Sequence, residues 1–289
     1  MAEFQEGKSE LIAIARRDGW SKAITQQFGS AEYLTDERRG IFLDLLPIEN
    51  ADVLEIGPGF GQFTDRIARI AKSVAALEVD PVQADFIREK LRQENIENAT
   101  VTTGGADCQL PYADDSFDLV VLNLVLEWCA AAITEPHEAA QSRLLREIAR
   151  VLRPDGHLYV ATKNRFALRY LIGKPDEHYH NMRFGSALPR WLADRVHGRR
   201  SRGRLYSWRG LRCLLRDAGF EVEQSWWAAP EMRFPARMVP TDSRSVRAAR
   251  RAGVRQGQGR AEKLLMSLVP APLVKHVAPG LSFLARLRS

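Results

Sequence analysis

An α/β fold on a mainly parallel sheet is what this 289-residue chain predicts, and three observations predict it. From Asn50 to Lys163, short apolar runs alternate with stretches of helical periodicity, the pattern of parallel strands joined by crossover helices. One run, "FDLVVLNLV", is apolar enough for a central strand covered on both faces. Where the first run ends, in "VLEIGPGFGQF", glycines fall at every second position between a strand and a helix, where a ligand can approach bare backbone.

The first forty-odd residues read as one or two helices ahead of the sheet, an N-terminal extension over 1–49. "DVLEIG" is the first strand, and the helix after the glycines sets Phe63, Ile67 and Ile70 on one face. "SVAALEV" is the second strand. Pro81 opens the next helix at its first turn, with Val82, Phe86 and Leu91 inward. "ATVTTG" is the third strand and "FDLVVLNLV" the fourth. "AQSRLLREIARVLRPDG" aligns Leu144, Leu145, Ile148 and Val151 and stops at Pro154 and Gly156, before "HLYVATK", the fifth strand. Ser207 caps a helix whose stripe of Leu211, Leu214, Leu215 and Ala218 ends at Gly219. "FEVEQSWWA" and "LSFLARL" are the remaining strands. The expected organisation is a single domain over 1–289, with its core over 50–163. Two insertions, 164–206 and 228–279, break the alternation, and long insertions of this kind commonly carry function.

With 45% hydrophobic residues the chain can bury one large core or two modest ones. Cys108, Cys129 and Cys213 are odd in number and lack metal-site spacing, so a reducing compartment is expected, with neither a disulfide framework nor structural zinc. No signal-peptide core is visible and no apolar window is long enough to span a bilayer, which predicts a soluble, cytoplasmic protein. The net charge of +6 is uneven: from Arg183 to Arg260 arginines crowd together without a lysine. That asymmetry fits a phosphate, a nucleic acid or an anionic membrane surface as partner, or simply a solvated basic face.

A phosphate-cradling loop needs Gly-Lys-Ser/Thr at the helix start, and this chain has Gly61, Gln62 and Phe63. A dinucleotide loop needs G-x-G-x-x-G, but here the third glycine comes one position early. Glu55, two residues before Gly57, would repel a pyrophosphate and attract a cationic ligand.

This combination resembles the glycine-rich motif of the class I S-adenosylmethionine-dependent methyltransferases, and the resemblance extends over most of Val53 to Thr162. It implies a Rossmann-like fold: a seven-stranded, mainly parallel sheet with the last strand antiparallel and helices on both faces. It implies S-adenosylmethionine as cofactor, its methionine part held by Glu55, Gly57, Gly59 and Gly61. Glu78 of "ALEVD" would take the ribose hydroxyls, with Asp80 as the alternative, since a carboxylate forms charge-assisted bonds to a diol. Asp107 in "GGADCQLPYADDSFD" would reach the adenine amino group. It stands one residue nearer the Leu-Pro than the family pattern, so backbone groups of Ala106 and Cys108 would share the task. Asn123 completes the cofactor set. Asp114 and Asp115 read as turn residues, and no metal site is expected.

The fourth strand ends in "NLVLEW" rather than Asn/Asp-Pro-Pro-aromatic, and no cysteine has a Pro-Cys or Thr-Cys context; both features argue against methylation of nucleic-acid bases. "KNRFALRYLIGKPDEH", "ALPRWLA" and "YSWRGLRCLLRDAGFEV" are similar to a subset of the family whose genes accompany glycosyltransferases of surface-polysaccharide pathways. Lys163 departs from it, standing where a glutamate is usual. The implied reaction is O-methylation, by in-line displacement, of a sugar, a glycan, a lipid-linked precursor or another small polar acceptor. His178, oriented by Asp176 or Glu177, is the candidate base, because an imidazole can accept a hydroxyl proton near neutrality. Glu127, Trp128 and Arg165 are candidates to bind the acceptor, and Arg169 and Arg183 suit a phosphate on it. "AEKLLMSLVPAPLVKHVAPG" is expected to touch a membrane surface or to pack as a lid or dimer contact; Pro270, Pro272 and Pro279 rule out one long helix. Two rival readings remain open at this stage, an RNA methyltransferase using the arginine-rich half and a non-catalytic cofactor-binding regulator.

Overall fold

A computed structural model describes residues 2–129, 135–197, 201–255, 257 and 259–288. Its strands are β1 (Asp52–Ile56), β2 (Ser73–Glu78), β3 (Ala99–Thr103), β4 (Phe117–Asn123), β5 (Leu152–Lys163), β6 (Phe220–Ala229), β7 (Arg237–Pro240) and β8 (Gly280–Leu287). They form one sheet in the order β3-β2-β1-β4-β5-β8-β6-β7. β1 to β5 run parallel, β8 lies antiparallel between β5 and β6, and β7 adds antiparallel to β6. The fold is the expected Rossmann-like one with its last strand reversed, but the sheet has eight strands among the described residues, not seven. The extra strand is "RMVP", too short to signal itself in the sequence and placed at the sheet edge, where its proline is tolerated.

Alternation along β1 sends Leu54 and Ile56 to one face and Val53 and Glu55 to the other. The first face packs on α5 (His137–Val151) and α8 (Trp208–Asp217) through Leu145, Ile148, Leu211 and Leu215. The second packs on Ile67 of the short α3 (Thr64–Ala68), Phe42 and Tyr159, whose stacked rings lie 4.7 Å apart. Ile70 falls beyond α3 and is exposed, which corrects the expected stripe: the helix is too short to carry it. α5 ends at Val151 rather than at Pro154. The next residue, Leu152, already pairs with Phe117, and proline disfavours a helical residue before it. Ser207 does cap α8, accepting from Gly210 N–H at 3.1 Å.

The extension contributes α1 (Ala2–Asp18) and α2 (Trp20–Phe28), packed over α4 (Pro81–Gln93) through Ile14, Ile24 and Phe86. The 164–206 segment forms α6 (Leu168–Leu171), a small hairpin of Pro175–Asp176 with Met182–Arg183, and α7 (Arg190–His197). The 228–279 segment holds β7, α9 (Ser243–Arg251) and α10 (Arg260–Leu268). Buried Asn164 ties the two segments together, donating to the carbonyls of His276 and Ala278. Among the described residues no helix is long and apolar enough to cross a membrane.

Candidate active site

The strand order reverses between β1 and β4, and at the carboxyl ends of those strands an open α/β sheet forms its binding crevice. Gly57, Gly59 and Gly61 turn the chain there with φ of 67°, 61° and 69°, all in the left-handed region. The first two glycines serve different ends. A Cβ on Gly57 would stand 2.5 Å from Val125 Cγ2, so close packing against the β4 side excludes any side chain. A Cβ on Gly59 would meet nothing within 4 Å, so bare backbone faces open space.

The acids predicted around this turn divide by environment. Glu78, buried at the end of β2, accepts from Gly59 N–H and Asp80 N–H, each at 3.0 Å. An ionised carboxylate has about four acceptor sites, so two remain for a diol. Burial pushes its pKa upward, against the pull of those backbone bonds. Asp80 instead caps α4, accepting from Val82 N–H at 2.9 Å. Glu55 is buried and accepts from the Thr64 hydroxyl at 2.6 Å; burial raises it to about 7. Asp107 is exposed, and its carboxylate accepts from Gln109 N–H at 3.1 Å. Asn123 is half-buried at the end of β4.

Sequence reasoning missed two cations at this end of the sheet. Lys90 of α4 is buried and donates to the Gly61 carbonyl at 2.6 Å and to Asp65 at 2.8 Å, bracing the glycine turn from behind. Arg39 of the extension is 6% exposed and lies 3.9 Å over the Tyr33 ring. Its Nη2 donates to Gln62 at 2.7 Å, while Nε and Nη1 have no partner, and burial lowers its pKa. Neither residue lies in a motif, so only the fold reveals them.

The acceptor-side candidates meet at the ends of β4 and β5. His178 is fully buried; its Nδ1 lies 3.1 Å from Asp176 Oδ1, and its Nε2 has no partner. Burial works to raise Asp176, but hydrogen bonds with His178 and Ser186 outweigh it and hold the carboxyl below its usual range. The Trp128 ring stacks on His178 at 4.4 Å between centroids. Glu127 is buried with neither carboxylate oxygen in a well-formed hydrogen bond. Burial raises its pKa, only partly offset by Thr162, His178 and Lys163. Lys163 pairs with Glu177, and burial lowers its pKa, aided by repulsion from Arg169 and Arg233.

Lys163, Glu177, Arg169 and Arg233 line a cleft of about 380 Å³ with Leu124, Glu231 and Phe234, whereas His178, Trp128 and Glu127 lie outside its lining. Arg165 lies elsewhere: its guanidinium donates to the carbonyls of Ser186 and Leu188, and it lines a small cavity with Arg190 and Arg204. Arg183 is exposed on the small hairpin. Asp176, Glu177 and His178 bring donor atoms within 4.8 Å of one another, but Lys163 already holds Glu177, and Asp176 is bonded to His178 and Ser186. Both carboxylates of the cluster are thus engaged by protein groups, while His178 Nε2 is not.

A family model described as a methyltransferase domain matches residues 54–160. The biotin biosynthesis bifunctional protein BioHC of Cellvibrio japonicus is 33% identical over 150 residues, 49% of this chain and 27% of that protein. A probable S-adenosylmethionine-dependent methyltransferase of Mycobacterium tuberculosis is 36% identical over 129 residues, 45% of this chain and 42% of that one. The matches thus cover less than half the length of these curated relatives. Among solved structures, a putative sarcosine dimethylglycine methyltransferase from Galdieria sulphuraria superposes with a TM-score of 0.52 at 18% identity, over 89% of this chain and 87% of the other. At that identity the likeness concerns the fold alone.

Proposed function

We propose that this chain, whose residues 54–160 match a methyltransferase domain, is a class I S-adenosylmethionine-dependent methyltransferase and methylates a hydroxyl of a glycan or another small polar acceptor that carries an anionic group. The observation that carries this reading is the buried Asp176–His178 pair, whose ring Nε2 is left without a partner beside the ends of β4 and β5.

The residues at the glycine turn suit the cofactor. Glu78 keeps two acceptor sites for the ribose hydroxyls, the open face of Gly59 admits the ligand against backbone, and Arg39 offers two buried donors to an amino-acid carboxylate. Asn123 and the Asp107 loop are assigned to the rest of the nucleoside. When bound, S-adenosylmethionine supplies an electrophilic methyl group on a sulfonium sulfur.

The chain's own groups then prepare the acceptor. His178 Nε2 takes the hydroxyl proton, while Asp176 at Nδ1 fixes the tautomer and stabilises the charged ring. Trp128, stacked on the imidazole, holds its plane. Glu127, pushed toward its neutral form by burial, donates a hydrogen bond to an acceptor oxygen. Lys163, Arg169 and Arg233 give the cleft a surplus of positive charge, which favours a phosphate or carboxylate on the acceptor.

Mass spectrometry of surface glycans from cells with and without the gene tests the acceptor. O-methyl groups that vanish with the gene support the reading, whereas unchanged glycans and a methyl missing from RNA overturn it. On the isolated acceptor, His178→Gln should lower turnover by about 10²–10⁴-fold. Its affinity for S-adenosylhomocysteine should stay as in the wild type, while Glu78→Ala should weaken that affinity. Full activity in His178→Gln would remove the base.

A further inference from the structure

Beyond the reacting groups, α10 is two-faced. Met266 is buried with Val246 and Val274 in one apolar cluster, against which half-buried Leu168 packs, while Leu264 and Leu268 stand outward at 63% and 71% exposure, with Leu265 beside them. Leu273, in the next turn, is 51% exposed. α6 packs against α10 and adds exposed Leu171, followed by exposed Ile172. Six large aliphatic side chains thus face outward on neighbouring elements, more than scattered exposure accounts for.

Cations surround them. Arg250 of α9 donates to the carbonyls of Met266 and Val269, both at 2.7 Å, which seats α9 at the end of α10 beside Leu268. Arg247 and Arg251 on that helix, Arg260 at the start of α10, and Lys174 beyond Ile172 are all exposed. From Ser243 to Lys275 the sequence has eight arginines and lysines against one acid, Glu262, which is buried. Outward leucines rimmed by cations, without an exposed carboxylate on either helix, match a surface of lipid phosphates over acyl chains: the leucines enter the headgroup boundary and the cations bind the anionic heads.

We propose that the face formed by α10, Leu171, Ile172 and Leu273, with its arginine rim, docks on an anionic membrane surface. Arg169, in the acceptor cleft, shares α6 with Leu171, so docking would bring the cleft to headgroup level. The docking stands independently of which group accepts the methyl.

Flotation of the full chain with phosphatidylcholine vesicles, with and without phosphatidylglycerol, tests it. Partitioning about ten-fold stronger onto the anionic vesicles, and weakened by salt, is expected. The triple variant Leu264→Ser, Leu268→Ser, Leu273→Ser should lose about ten-fold of that partitioning while binding S-adenosylhomocysteine as the wild type does. Arg247→Glu with Arg251→Glu gives a second readout should the triple variant misfold. No flotation of the wild type, or equal flotation of all variants, would overturn the proposal. So would a dimer in sedimentation that the triple variant dissolves, since the occupant would then be a second copy, or salt-sensitive RNA binding without vesicle binding.

Discussion

The two halves of the sheet's carboxyl edge are built on opposite terms. At the glycine turn the buried ionic groups of the sheet and α4 are met by protein: Glu55 by Thr64, Glu78 by two backbone N–H groups, Lys90 by Gly61 and Asp65. Arg39, reaching in from the extension, is the exception. Beyond β4, both Glu127 oxygens, His178 Nε2 and Arg169 Nε have no partner. Buried polar groups left unpaired cost free energy, so such a cluster persists in a folded protein where a polar ligand or ordered water completes it. Arg39 apart, the first half meets its buried charges with protein groups, and the second leaves several buried polar atoms unmet.

The widest separation between the halves comes from substitutions of opposite sign. Lys90→Met leaves Asp65 and the Gly61 carbonyl without their buried cation and should cost about 3–5 kcal/mol in urea unfolding. Glu127→Leu removes an acid whose ionisation burial opposes, and should stabilise the protein by about 1–3 kcal/mol at pH 8 while lowering turnover. Destabilisation by both would mean that Glu127 has protein partners after all, and the contrast would collapse.

How far the sequence disclosed each half follows from the same distinction. The glycines, Glu55 and Glu78 lie at the ends of two adjacent strands, and their spacing alone positions them. Asp176 and His178 were legible as a local pair, but the Trp128 ring that stacks on His178 arrives from the other side of β5. Lys163 meets Glu177 across a turn and Arg233 from beyond β6, a meeting that tertiary packing creates and periodicity does not record. Lys90 belongs to no motif on α4, and only packing shows what it braces. β7 stayed hidden because four residues ending in proline carry too little alternation.

The middle-sized effect concerns pH. Glu55 rises from an ordinary 4.5 to about 7 on folding, so between those values the native state holds a proton that the unfolded chain has released. Its contribution is therefore full below about pH 4.5 and fades as pH climbs through 7, a loss of about 3 kcal/mol at 1.36 kcal/mol per pH unit. Urea midpoints for wild type and Glu55→Gln should converge in acid and separate above pH 7, with Gln the more stable. Parallel curves would show that Thr64 and its surroundings keep Glu55 ionised in the fold.

The smallest effect discriminates most finely, because it separates packing from binding within one turn. Ala at either Gly57 or Gly59 must adopt a left-handed backbone, a strain of about 1–2 kcal/mol. At Gly57 the new methyl also meets Val125 at 2.5 Å, so the total should reach about 2–3 kcal/mol of lost stability. At Gly59 nothing in the protein obstructs the methyl, and stability should fall by that backbone strain alone, about 1–2 kcal/mol. If the cofactor lies against that bare backbone, however, Gly59→Ala should weaken S-adenosylhomocysteine binding more than its stability change implies, because the methyl occupies ligand space. Calorimetry on both variants, with thermal melts alongside, reads the two quantities separately. Gly59→Ala binding as tightly as wild type would move the ligand off the turn and leave the three glycines to strand–helix packing alone.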